Sequence, residues 1–344
     1  MIVDHTGRTV TSSRTLVAVI AFGASAAWAA ACGPPRAEFE LTLGHDQAAG
    51  HPYDLGVKRF ADRVREGTGG AVNIKIFPSG QLGDSGEQFE GLRLGTQDLA
   101  LAAFSHASQF CTAFGLFGAP FLFEDEPHFA AVFDGEVGNI LDASCRAQYK
   151  VSLVSTFTSG YRLLLNSRRP VRNAADLAGL KIRVMGGEAD ARTWQSFGAI
   201  PSPMPYSEVY SALQAGVIDG AENEPVSILS NRFYEAAPHL ARTNHLVLPM
   251  GLFMSERTLK RLPEAYRTRL WQEARDAAIW QRALIVSRNA QALADMQQKY
   301  GVRVSELDAK ELRGAGAAIQ DYIAEKLGLQ DLLAKVRAAR LRSP

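Results

Sequence analysis

The chain has 344 residues, 47 % of them apolar and 21 % charged, the balance of a soluble globular protein rather than a disordered or fibrous one. Its 37 basic and 36 acidic residues leave a net charge of +1, so there is no basic field for nucleic acid or anionic lipid, and charge selectivity must come from a few placed groups. The length is about twice that of a usual domain and predicts two lobes of roughly 120 to 150 residues once the N-terminal segment is removed.

Residues 1–36 read as a targeting segment. Arg8 and Arg14 precede an alanine-rich apolar run from Thr15 to Ala31 that ends in small residues, the pattern of a secretory signal. A membrane anchor is the competing reading, but a run of about 17 residues is at the short limit for a span. Cleavage after Ala29, after Ala31 or at Cys32 stays open. Ala30-Ala31-Cys32 resembles a lipoprotein processing site, although Ala29 stands where such sites usually carry leucine. Cys111 and Cys145 belong to the mature chain, and an oxidising compartment permits them to pair. Two separate buried thiols are the equal alternative, because sequence does not give the Cα separation a disulfide needs.

From Glu38 onward strands and helices alternate. Leu41, Leu43 and Gly44 form a short strand; Pro52 starts a helix in which Tyr53, Val57, Phe60, Ala61 and Val64 recur at helical spacing. Gly67, Gly69 and Gly70 close it. Val72, Ile74 and Ile76 alternate as a strand, a second helix carries Phe89 and Leu92 and stops at Gly95, and a third strand runs from Leu99 to Ala102. This βαβαβ order predicts a largely parallel sheet. After Lys150 the grammar restarts: a strand to about Phe157, another at Leu163 to Leu165, a short helix capped by Asn173, a strand from Leu180 to Val184, a helix around Trp194, a helix from Ser207 to Ala215 and a strand from Val217 to Ala221. Pro263 then opens a run to about Tyr300 without glycine or proline, which as one helix would be roughly 50 Å long and able to lie across both lobes. The fold class is therefore α/β in two lobes joined by several crossing strands.

Ligands of such sheets bind beyond the carboxyl ends of the strands. Arg183 lies near one such end, shares a face with Lys181 and is followed by Gly186 and Gly187. Its guanidinium can grip a carboxylate through two parallel hydrogen bonds, although a strand arginine is more often part of a structural ion pair. Arg162, ahead of Leu163, carries the same two readings. Asn223 can donate an amide bond to a carboxylate or serve as a turn residue. Tyr206, at a helix entrance after Pro205, reads on the residues alone as a helix staple. Evidence for an enzyme is thin: there is no phosphate loop, HExxH, CxxC or serine elbow. His45, His51, His106, His128, His239 and His245 have no metal-ligand spacing and read as polar residues with ordinary partners. No cofactor or metal is expected.

Taken in order, the segments F-P-S-G-Q-L-G-D (77–84), L-G-T-Q-D-L-A (94–100), A-P-F-L-F (119–123), G-Y-R (160–162), D-L-A-G-L-K-I-R-V (176–184), the run from Gly198 to Asn223 and F-Y-E (233–235) resemble the substrate-binding proteins of TRAP (tripartite ATP-independent periplasmic) transporters. The resemblance covers about residues 40 to 300. It implies a clamp hinged by strands and spanned by a long helix, with lobe I over 37–160 plus about 248–287 and lobe II over 161–247 plus about 288–344. It further implies that Arg183 makes the carboxylate salt bridge, with Arg162, Asn223 and Tyr206 beside it. Gly44-His45-Asp46 departs from the sialic-acid branch, so Asp46 becomes a candidate acceptor for ligand hydroxyls. The implied partners are a small organic acid, a sugar acid or a dicarboxylate, and the TRAP membrane permease subunits; the implied location is the periplasm, with lipid anchoring open. A receptor feeding a sensor kinase is the alternative, since the same clamp serves either purpose. Glu224, between Asn223 and Pro225, adds an acid whose effect the sequence does not reveal.

Overall fold

The computed structural model describes residues 37–339; the targeting segment expected over 1–36, with Cys32, lies outside them. Two sheets organise the chain. The first has the order β2-β1-β3-β10-β4, from β1 (Phe39–Gly44), β2 (Val72–Phe77), β3 (Leu99–Ala103), β4 (Val151–Tyr161) and β10 (Val247–Ser255). The second has the order β11-β9-β5-β8-β6-β7. Its strands are β5 (Leu163–Asn166), β6 (Lys181–Val184), β7 (Ile200–Pro203), β8 (Gly220–Asn223), β9 (His239–Arg242) and β11 (Arg303–Glu306).

The sheets are less parallel than the strand–helix alternation predicts. β1 pairs parallel with β2 and β3, but β10 is antiparallel to β3 and β4. In the second sheet β6 is parallel to β7 and β8, while β5 runs antiparallel to β8 and β9. The physical reason is the crossing chain, because β4 continues almost directly into β5 and β10 returns from β9, each entering its new sheet against the local direction. At this junction Arg162 N donates to Leu246 O at 2.8 Å, tying the two crossings together. Gly160 sits there with φ of 67°, a conformation that costs little only for glycine.

The helix Glu264–Tyr300 is 37 residues long, or about 55 Å at 1.5 Å per residue. It serves both halves. Leu270, Ala274, Ala277 and Ala278 pack with Leu41, Val57, Phe60 and Leu252 under the first sheet, whereas Leu293 and Met296 pack with Leu165, Ile218 and Leu240 under the second. Between these stretches Gln281 Nε2 donates to Thr158 O at 2.9 Å, and Asn289 Nδ2 donates to Ser159 O while its Oδ1 accepts from Val226 N. The helix is thus hydrogen-bonded to the crossing strand as well as packed on both cores.

A phenylalanine-rich core, including Phe104, Phe114, Phe117, Phe129 and Phe133, holds the elements after β3. Within it the sulfurs of Cys111 and Cys145 are bonded, with Cα atoms 5.4 Å apart. The C-terminal helix Gln330–Ala339 rests against this region, where Val336 O lies 2.9 Å from His128 Nε2. Among the described residues no helix is long and apolar enough to cross a membrane.

Several boundaries differ from expectation, and the strand expected to end at about Phe157 continues to Tyr161. The strand expected over Val217 to Ala221 is Gly220–Asn223, because Val217 N and Ile218 N still bond to Ala212 O at the end of the preceding helix. The helix expected from Ser207 to Ala215 begins as a 3-10 turn, Tyr206–Glu208, before Val209–Gln214.

Candidate functional site

The carboxyl ends of β1, β3, β6 and β8 face one cavity, closed from the side by Leu248 and Met250 of β10. β1 stops at Gly44, and the following residues are pinned to the loop after β2: His45 N donates to Phe77 O (3.1 Å), Gly80 N to His45 O (3.0 Å) and Ser79 N to Gln47 O (2.9 Å). This places Asp46 in one wall. The opposite wall carries Arg162, Arg183, Tyr206, Asn223 and Glu224. All five residues singled out from the sequence therefore line the same cavity, although Asn223 ends β8 instead of following a strand.

Arg183 shares a face of β6 with Lys181, but Lys181 at the strand's start is exposed, whereas Arg183, one residue from its carboxyl end, is only 2 % exposed and lines the cavity. Its Nε and Nη2 donate to Met204 O at 3.1 and 2.9 Å. The Tyr206 ring lies 5.8 Å from its guanidinium carbon. No carboxylate among the described residues forms an ion pair with it, and burial pulls its pKa below the usual arginine value. A guanidinium that is buried, cationic and without an anion is costly unless one arrives.

Arg162 is the opposite case. Its Nε meets the Glu222 carboxylate, Nη2 donates to Glu222 Oε1 (2.9 Å) and Glu222 O (2.7 Å), and Nη1 donates to Asn223 Oδ1 (2.7 Å) and Glu224 Oε2 (2.9 Å). Burial alone would raise the Glu222 carboxyl, but Arg162 and His245 overcome it and hold the group at about 2. Glu224 is raised by burial, with Arg162 opposing. The acid next to Asn223 therefore serves Arg162.

Asn223 accepts from Arg162 and from Glu224 N, and donates through Nδ2 to Tyr206 Oη at 3.2 Å. One amide hydrogen remains for a ligand. Tyr206 combines the two roles considered for it, since its ring packs on Phe233 with centroids 5.8 Å apart and the residue also lines the cavity. Asp46 is half-buried, yet its Oδ1 is shielded from solvent without a partner. Burial raises its pKa to about 6, and Glu224 adds to the shift.

Sequence reasoning missed Gln47, Tyr53, His106 and Met185, which also line the cavity. The strand-end rule applied to β3 would have found His106, three residues beyond Ala103. The expectation that the histidines have ordinary partners fails for His106 and His239, whose Nδ1 atoms are buried without one, while His45 meets Asp54 Oδ1 through Nε2 at 3.3 Å and leaves only its Nδ1 without a partner. For His106 the reason is its place in the cavity wall, where burial and the nearby Arg183 lower its pKa to about 4 and keep the ring neutral.

Two sheets with crossing strands, a shared long helix and a cavity between them that holds an unpartnered cation define a two-lobed solute-binding protein. Residues 43–327 match the family described as bacterial extracellular solute-binding protein, family 7, and the chain belongs to that family. The 2,3-diketo-L-gulonate-binding periplasmic protein YiaO of Escherichia coli is 31 % identical over 284 residues, covering 82 % of this chain and 86 % of its own. A TRAP periplasmic solute-binding protein of Roseobacter denitrificans, solved with β-D-glucuronate bound, superposes with TM-score 0.82 at 29 % identity, covering 87 % of this chain and 99 % of that one. The sugar-acid-binding protein DctPAm of Advenella mimigardefordensis, in complex with galactonate, has TM-score 0.83 at 26 % identity, covering 88 % and 99 %. The chain is thus an extracytoplasmic solute-binding protein of TRAP-type transport, which binds and delivers a solute and does not transform it.

Proposed function

We propose that the protein captures a small organic carboxylate, with sugar acids the first class to test, and hands it to its TRAP permease. The observation that carries this reading is the Arg183 guanidinium, 2 % exposed and bonded only to a neutral carbonyl, in a cavity wall opposite Asp46. Arg183 receives the carboxylate, the free Asn223 amide hydrogen and Tyr206 flank it, and Asp46 accepts from hydroxyls. The glucuronate and galactonate held by related proteins support a hydroxylated ligand. Lobe I comprises 37–160 and about 248–287, and lobe II 161–247 and about 288–344; the division of strands between the two sheets supports this. Cys32 is the proposed site of lipid attachment, which labelling with a fatty-acid probe in wild type and Cys32→Ala decides.

The test is a thermal-shift screen of uronates, aldonates and C4-dicarboxylates on the mature protein. A ligand at 100 times its Kd adds about 2.7 kcal/mol, so the right class stands out. If no carboxylate shifts the transition, the reading fails.

A further inference from the structure

The cavity wall holds two arginines, but only one has hydrogen bonds to give. A guanidinium has five N–H groups. Those of Arg162 meet five acceptors inside the protein: both oxygens and the carbonyl of Glu222, Asn223 Oδ1 and Glu224 Oε2. Glu224 completes the set. It is 1 % exposed, and its other oxygen is engaged by the Ser227 hydroxyl, so the side chain is fixed where it blocks Nη1. The saturation holds whether or not Glu224 carries a proton, since its oxygen accepts in either form. Arg183 spends its bonds on Met204 O alone, which leaves at least both Nη1 hydrogens for an anion. Among the described residues lining the cavity there is no third cation, because His106 is held neutral.

We propose that Glu224 sets the charge class of the ligand: by occupying Arg162 it leaves Arg183 as the single anion receptor, so the site takes a polyhydroxylated acid with one carboxylate and rejects the corresponding diacid. This rests on Arg183 being the carboxylate anchor. A second carboxylate would lose its hydration beside Asp46 and Glu224 without gaining a cation, and discrimination against a near-isostere comes from such an unpaired buried charge. A hydroxyl at the same place can donate to Asp46 Oδ1 or to His106 Nδ1, both buried without a partner.

Calorimetry with matched acids tests it: D-galactonate against galactarate, and D-glucuronate against D-glucarate, on the mature wild type, Glu224→Gln, Glu224→Ala and Arg183→Ala. The wild type should bind the monoacid of a pair more than about tenfold tighter than the diacid, the scale of one unpaired charge. Glu224→Ala, which frees Arg162 Nη1, should narrow that ratio by about tenfold, chiefly through tighter diacid binding. Glu224→Gln keeps an acceptor and should narrow it less. A wild type that binds the diacid as tightly as the monoacid overturns the proposal without any variant having to fold, and so does an unchanged ratio in the folded variants. Undiminished monoacid binding by Arg183→Ala would instead overturn the anchor, a result separate from the Glu224 ratio. Binding of no member of either pair would overturn both.

Discussion

Met204 O holds Arg183 in place without neutralising it, accepting from Nε at 3.1 Å and from Nη2 at 2.9 Å. A carbonyl anchor fixes the plane of the guanidinium and keeps its charge available. Orientation is therefore established before the ligand arrives, which lowers the ordering cost of binding.

Arg183→Ala should weaken binding of the identified acid by about 2 to 5 kcal/mol, the range for truncating one partner of a buried charge pair. That is roughly 30-fold to several thousand-fold in Kd. Arg183→Lys should recover only part of it, because an ammonium keeps the charge but loses the planar fork. Calorimetry after circular dichroism has confirmed folding reads the effect, and a loss under about threefold would make Arg183 a structural residue.

Arg162→Ala should act on the ligand-free protein. Its removal leaves Glu222 and Glu224 buried without their cation, a change that costs about 3 to 5 kcal/mol. Arg183→Ala removes an unpartnered cation and should leave ligand-free stability unchanged or higher. Denaturant titrations of the two variants side by side check the contrast; equal losses would mean that the two arginines do the same job.

The α/β alternation, the long helix and the cavity wall were legible because they rest on local signals. Pro52, Gly95 and Pro263 mark element ends through backbone geometry, and the strand-end rule pointed to Arg183. The antiparallel insertion of β10 was not legible, since Val247–Ser255 is buried along its whole length and shows no alternation to set its direction. Nor was the division of labour between Arg162 and Arg183. Both precede or end apolar strands, and only the approach of Glu222 and Glu224 from 60 and 62 residues away separates them.

Ligand entry should require the lobes to part. The cavity of about 30 Å³ is room for one or two waters, and direct contacts join the two lobes outside its lining, with His51 Nε2 3.1 Å from Ser227 Oγ and Ser105 Oγ 3.4 Å from Asp190 Oδ1. A ligand that binds the closed form shifts the population toward it. Small-angle scattering should give a smaller radius of gyration at saturating acid than without it. An unchanged value would argue against the clamp.

Asp46→Asn should stabilise the ligand-free protein at alkaline pH and lose that advantage on acidification. Burial, with Glu224 nearby, raises the Asp46 carboxyl from its ordinary 3.8 to about 6. Between those values the folded protein keeps a proton that the unfolded chain has released, so stability falls as pH rises through this window. Above about 6 the buried charge exerts its full penalty, and below about 4 both states are protonated and the penalty vanishes. Asparagine has no charge to bury, and its amide can still occupy the site. Compared at the same pH, the other titrating groups largely cancel between variant and wild type. The midpoint of thermal unfolding should therefore rise by a few degrees at about pH 8, the shift that roughly 1 kcal/mol produces in a chain of this kind, and the gain should shrink through about pH 6 and disappear near 4. A gain independent of pH would point to altered packing in place of charge, and a lower midpoint at pH 8 would show that ionised Asp46 is stabilised by its surroundings.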